Sequence, residues 1–298
     1  MRKLVAATFA AAAVLAAHPV LAQALPEAVR QMVESAAKTG DQAKIDAVVA
    51  VAKETNKGAE AEIDKIVADV AAAQAAEREA KLATAGFFEN WTGSGQLGAA
   101  ISTGNSETKS FTAGIALERD GLRWRHRADA LFDIVDNDGG TDQQRILAGY
   151  QIDYKISDRL YAWGRFEYEK NREAGIERRF AESAGLGYRL VMPEPVTWDI
   201  EVGPALRQTR FVTGDENTVA VRAASRFLWA ISPSTAFTND TAIFWDSAGS
   251  INNTTALTAK LFGSLSARLS VNLAWEEEPP LGLDSLDTTS RITLVYSF

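Results

Sequence analysis

The chain has 298 residues, room for one large domain or two modest ones, with a formal net charge of −8 and no cysteine. The acidity argues against nucleic-acid binding, and the missing cysteine rules out disulfides, thiol chemistry and Cys-zinc sites. Beyond residue 22 no run of 18 apolar residues occurs, so no transmembrane helix is available.

Residues 1–22 are expected to be a secretory signal peptide. Arg2 and Lys3 give the positive start, Leu4 to Ala17 the apolar stretch, and Val20-Leu21-Ala22 a small-residue cleavage site before Gln23, with Ala22-Gln23-Ala24 as an alternative. Removing the two cations moves the charge from −8 to −10. An exported chain that spans a membrane without helices must do so as a closed barrel, because lipid leaves open sheet edges unsatisfied.

Residues 23–87 are expected to form an α-helical periplasmic extension. Leu25, Val29, Met32, Val33 and Ala36 recur at helical spacing, as do Ile45, Val48, Val49 and Ala52, and then Ile63, Ile66, Val67 and Val70. Pro26 suits a first turn, while Gly40-Asp41 and Asn56-Lys57-Gly58 mark two breaks, giving three helices. Their narrow apolar stripes pack together or against a partner; a solvated spacer with helical bias is the alternative.

From Asn90 the period changes to two, and residues 88–298 are expected to form an all-β transmembrane barrel of about 12 antiparallel strands. Segments start near Trp91, Thr108, Leu122, Gln143, Arg159, Arg179, Val196, Thr218, Thr235, Asn253, Ala267 and Thr288. Connections at 104–107, 135–142, 170–178, 213–217, 247–252 and 276–287 are the expected outer loops. The short turns Asp120-Gly121, Ser157-Asp158, 193–195, 232–234 and 264–266 face the periplasm.

Parity then assigns two faces to each strand. Leu122, Trp124, Ala128, Ala130, Phe132 and Ile134 face lipid on the third, and Val219, Val221, Ala223, Phe227 and Trp229 on the eighth. Ala267, Leu269, Val271, Leu273 and Trp275 do so on the eleventh. The ninth strand carries Asn239 or Asp240 on whichever face is chosen, and the sixth points Glu182 outward. The seven tryptophans lie near strand ends, as an interfacial girdle requires, although Trp163 points inward beside Arg165. Ile292, Leu294, Tyr296 and Phe298 alternate along one apolar face of the last strand.

The candidate lumen-lining residues are Arg127, Asp129, Arg145, Arg165, Glu167, Arg207, Arg222, Arg226 and Arg268, joined by Arg189, Asp199, Glu201 and Arg291. Such an interior either lines a narrow selective channel, tilted towards anions where Arg is in excess, or pairs across a small lumen and closes it. Catalysis is not expected. His126, the only histidine left after cleavage, faces outward with Ala128 beside it and Ile115 expected opposite, and so has no nucleophile in reach. Asp136-Asn137-Asp138-Gly139 and Asp142 lack the spacing and distal Glu of a calcium loop. No cofactor or metal is expected.

Trp91-Thr92-Gly93-Ser94-Gly95, Gly98-Ala99-Ala100, Thr103-Gly104-Asn105-Ser106 with Thr108, and the final Val295-Tyr296-Ser297-Phe298 resemble the salt-induced outer-membrane protein family. That family is YdiY-like and built on a domain of unknown function. The resemblance covers roughly residues 90–298. It implies a Gram-negative outer-membrane barrel set in lipid and lipopolysaccharide, with Ile292, Leu294, Tyr296 and Phe298 as a signal read by the barrel-assembly machinery. It implies no catalytic residues. Residues 25–85 lie outside it; a tether in which they bind peptidoglycan or a periplasmic protein is the alternative to a channel or an envelope-stabilising barrel.

Overall fold

The structure, a computed structural model, describes residues 25–298 apart from 104–107, 136–142, 173, 193–194 and 248. The proposed signal peptide, the first two outer loops and the Asp136–Asp142 cluster therefore lie outside the described residues. Two units divide between Lys81 and Leu82.

The first unit holds α1 (Glu27–Lys38), α2 (Gln42–Thr55) and most of α3 (Glu60–Thr84). Pro26 stands just before the first helical residue, and the Asp41 carboxylate accepts from the Lys44 N–H to cap α2. Leu25, Val33, Ala52, Ala59, Ile63 and Ile66 form one small buried cluster. The Arg30–Glu62 and Lys53–Asp64 ion pairs tie α3 to α1 and α2. Met32, expected on the buried stripe, is exposed. Past Val67, which still packs on the cluster, the Ala-, Glu- and Lys-rich sequence favours the helix by propensity, and the residues of α3 there are exposed or half-buried. No helix among the described residues is long and apolar enough to cross a membrane.

The second unit is a closed barrel of twelve antiparallel strands, each paired with its sequence neighbours, with β1 closing on β12. The strands are β1 (Trp91–Thr103), β2 (Thr108–Asp120), β3 (Trp124–Val135), β4 (Gln143–Lys155), β5 (Leu160–Asn171), β6 (Ile176–Val191), β7 (Val196–Phe211), β8 (Gly214–Ser232), β9 (Thr235–Trp245), β10 (Ser250–Phe262), β11 (Leu265–Glu276) and β12 (Leu286–Ser297). At about 3.4 Å per residue and a tilt near 40°, twelve residues rise roughly 30 Å, enough to cross a hydrocarbon core. The seam is sealed by reciprocal 2.9 Å bonds between the backbones of Gly93 and Phe298.

Three expectations need correction. First, 213–217 is not a loop: β7 and β8 continue to a tight turn at Val212-Thr213, with Thr209 paired to Glu216 and Arg210 bonded to Asp215. A strand that has left the membrane needs no apolar face, so its polarity is indistinguishable from a loop's. For the same reason β6 and β10 each start three residues before the expected position, at Ile176 and Ser250. Second, the β2–β3 turn spans 121–124: Gly121 N–H donates to Trp124 O at 2.9 Å and Asp120 pairs with Arg125. Third, the tip therefore sits at Leu122-Arg123 rather than at Asp120-Gly121, and this displacement shifts the register, so Arg119 rather than Ile115 lies opposite His126.

Candidate functional site: the barrel lumen

Alternation sorts the side chains by chemistry. Leu97, Ile101, Val202, Val219, Val221, Leu257, Leu269, Ile292, Leu294, Tyr296 and Phe298 are exposed on the outer wall. Arg125, Arg127, Asp133, Arg145, Arg207, Arg222, Thr289 and Arg291 are buried inside it. Outward His126 is covered by Phe87 and Trp91, and its Nδ1 lies 2.8 Å from the Tyr150 hydroxyl. Glu182 lies outward between Phe180 and Ala184, level with Phe166 and Leu206.

Ion pairs cross the lumen at two levels. Towards the short-turn end, the Glu201 carboxylate on β7 accepts from Arg127 on β3 (3.2 Å), Gln151 on β4 (2.7 Å), Tyr161 on β5 (3.0 Å) and Arg222 on β8 (3.3 Å). Asp153 accepts from both Arg125 (2.6 Å) and Arg127 (3.0 Å for the closer oxygen). Two aromatic rings stiffen the level: Arg125 lies over Tyr161 and Arg222 over Trp163, each 5.1 Å from the ring centroid. Tyr161 fits because its neighbour across the strand pair is Gly187, where a Cβ would fall 2.2 Å from the phenol ring.

Towards the long-loop end, Arg179 on β6 donates to Glu276 on β11 (2.7 Å), nearly opposite in the barrel. Arg145 on β4 reaches Asn272 on β11 (3.2 Å). Arg207 pairs with Asp246 (3.0 Å), and Arg291 on β12 bonds Asp133 on β3 (2.6 Å). Buried charges need such partners, because removing an ion from water without compensation costs several kcal/mol, on the order of the whole stability of a domain.

Between the levels lie Arg165 with Asp129 (3.2 Å) and Glu167 (3.0 Å), and Arg226 with Asp240 (3.3 Å). Gly149 leaves the room that the Arg165 guanidinium fills. A cavity of about 830 Å³ runs past them, from Thr92, Glu118 and Ser297 at the short-turn end to Ser250, Phe244 and Glu276 at the other. Its wall contains seven arginines (Arg127, Arg165, Arg179, Arg207, Arg222, Arg226, Arg268) and eight carboxylates (Glu118, Asp129, Glu167, Glu169, Asp199, Glu201, Asp240, Glu276).

Charge in this wall is therefore balanced, in contrast to the expected excess of arginine. Glu118, Gln151, Asp153, Tyr161, Glu169, Arg179 and Asp246 join the expected set, and the choice left open on the ninth strand falls to Asp240. The signal was there for several: Gln151 and Asp153 share parity with Arg145, and Tyr161 and Glu169 share it with Arg165. Of the nine principal lumen candidates, Arg145 lies outside the cavity wall, in the outer ion-pair level, and the other eight line the cavity.

A closed strand ladder, an apolar exterior and an ionised interior define a transmembrane β-barrel. Residues 95–298 match the family described as "protein of unknown function, DUF481", and the chain belongs to that family. No curated protein matches the sequence. Among solved structures, the NanC porin is 9% identical, with 68% of this chain and 100% of that one covered at a TM-score of 0.49. The KdgM porin in complex with disordered oligogalacturonate is 8% identical, covering 68% and 99%, at 0.41. An outer membrane channel from Pseudomonas putida F1 is 10% identical, covering 70% and 94%, at 0.40.

Proposed function

We propose that this protein is a non-enzymatic barrel of a Gram-negative outer membrane, carrying a narrow, weakly selective pore for small ions and polar solutes. The observation that supports a pore is the cavity whose wall reaches from Thr92 and Ser297 to Ser250 and Glu276. Paired charges along that wall would keep it wet without strongly favouring either sign of ion. On this reading α1–α3 stand in the periplasm, lipid and lipopolysaccharide surround the apolar wall, and the strand Ile292–Phe298 engages the assembly machinery. A role under salt or osmotic stress fits the family resemblance.

Single-channel recording in planar bilayers tests the pore. Wild-type protein should give small discrete steps, and Arg222→Ala, which removes a side chain spanning from Glu167 to Glu201, should enlarge them at least twofold. No opening over a wide voltage range would remove the pore and leave a sealed, envelope-stabilising barrel.

The cluster centred on Val33 and Ile63, internal to the helical unit, supports a second reading, in which that unit tethers the barrel to peptidoglycan or a periplasmic protein. Deleting residues 25–81 should then abolish co-sedimentation of the protein with sacculi or its recovery with envelope partners. Unchanged recovery would end this reading.

A further inference from the structure

The outward wall of β9 and β10 carries a polar island. Asn239 and Thr241 on β9 lie opposite Thr255 and Asn253 on β10. All four point away from the lumen, since the alternate positions turn inward: Asp240 accepts from Arg226, and Asn252 and Thr254 accept from the buried Asn272. Their side chains close a ring. Asn239 Nδ2 donates to Thr255 Oγ1 (2.8 Å) and Thr255 Oγ1 to Asn253 Oδ1 (3.2 Å); Asn253 Nδ2 donates to Thr241 Oγ1 (2.7 Å) and Thr241 Oγ1 to Asn239 Oδ1 (3.2 Å).

The ring consumes both hydroxyl hydrogens and one hydrogen of each amide. One N–H on each asparagine and several oxygen lone pairs remain. On the same wall, Phe237 and Ile243 flank the ring along β9, and Ile251 and Leu257 flank it along β10. At about 3.4 Å per residue and a tilt near 40°, the ring centre stands roughly 13 Å from either end of β9, deep in the hydrocarbon. Neither water nor a lipid headgroup reaches that depth, and acyl chains offer no hydrogen bonds.

The remaining occupant is another membrane-embedded protein surface. The island has no charge, and its leftover donors are matched by leftover acceptors within the same four residues. A copy related by a two-fold axis presents acceptors to those donors and donors to those acceptors, the self-complementarity that an isologous contact requires. We propose that a second copy of this chain docks on the β9–β10 face, so that the protein is a homodimer joined in the membrane through the Asn–Thr ring.

The chain has no cysteine, so single substitutions give clean cross-linking sites. Leu257→Cys flanks the ring on β10, and Ala130→Cys lies on β3, five strands away by the shorter way round the barrel. In phosphatidylcholine vesicles containing only the full-length protein at low density, oxidation should yield at least tenfold more disulfide dimer at Leu257→Cys than at Ala130→Cys. Adding Asn239→Leu and Asn253→Leu should remove that excess while heat-modified electrophoretic mobility reports a folded barrel. Equal yields at the two sites, or an excess that survives loss of the ring, would overturn the proposal. Should the ring variant not fold, native mass spectrometry of wild-type protein decides: dimer supports the proposal and monomer alone overturns it.

Discussion

Glu201 shows how the lumen is held at the level of one residue. Its carboxylate collects four donors from four strands, so a single change disturbs charge, hydrogen bonding and shape at once. Glu201→Gln keeps the volume but leaves Arg127 and Arg222 short of negative charge. Arg127 retains Asp153 and Arg222 retains Glu167, so the loss should fall near about 3 kcal/mol, the low end for breaking a buried pair. Urea unfolding in detergent micelles reads it, and unchanged stability would contradict the cross-lumen network. Gly187→Val should displace Tyr161 and cause a comparable loss by the same assay. In the helical unit, Lys44 holds the Asp41 carboxyl below its ordinary range, through hydrogen bonds first and charge second. A depressed folded-state value means that the cap contributes fully at neutral pH and fades as pH falls through and below the ordinary carboxylate range. Helical circular dichroism of the full chain should therefore weaken in acid, and less so in Asp41→Ala.

At the level of elements, β12 illustrates what alternation encodes. Ile292, Leu294, Tyr296 and Phe298 are exposed on the outer wall, while Arg291 and Thr293 are buried inside. Leu294→Arg, or loss of Phe298 and its seam bonds to Gly93, should impair membrane assembly far more than Ser297→Ala. An arginine in lipid costs about 2–4 kcal/mol at mid-membrane. Equal yields of folded, heat-modifiable barrel from all three variants would contradict the assigned faces. This alternation is why strand number, strand order and most of the lumen set were legible in the sequence: parity needs only one residue to fix the rest of a strand. Features set by register between strands were not. The ring of Asn239, Thr241, Asn253 and Thr255 exists because β9 and β10 align in one particular way, and either strand alone shows only ambiguous polarity. The position of the β2–β3 turn decided what faces His126, and moving its tip by two residues changed every pairing between the two strands while keeping each side chain on its face. The polar start of β8, residues 214–217, reads as loop because water, unlike lipid, leaves no pattern in a strand.

The whole molecule combines a wall that lipid accepts with an interior whose paired charges line a cavity reaching from the short-turn end towards the long-loop end. The wall comes first, since a barrel that does not span a bilayer has no use for the cavity. Tryptophan fluorescence in vesicles with brominated acyl chains tests it most directly. Trp124, Trp198, Trp229 and Trp245 are exposed on the outer wall, whereas Trp163 is only 3% exposed, inside the barrel. Bromines placed near the carbonyl region should quench most of the emission, more strongly than bromines at the chain ends, as a girdle at the interfaces requires. A variant retaining Trp163 alone should be nearly unquenched by either lipid. Emission indifferent to bromine in the full protein, or a strongly quenched Trp163, would contradict the transmembrane barrel described here.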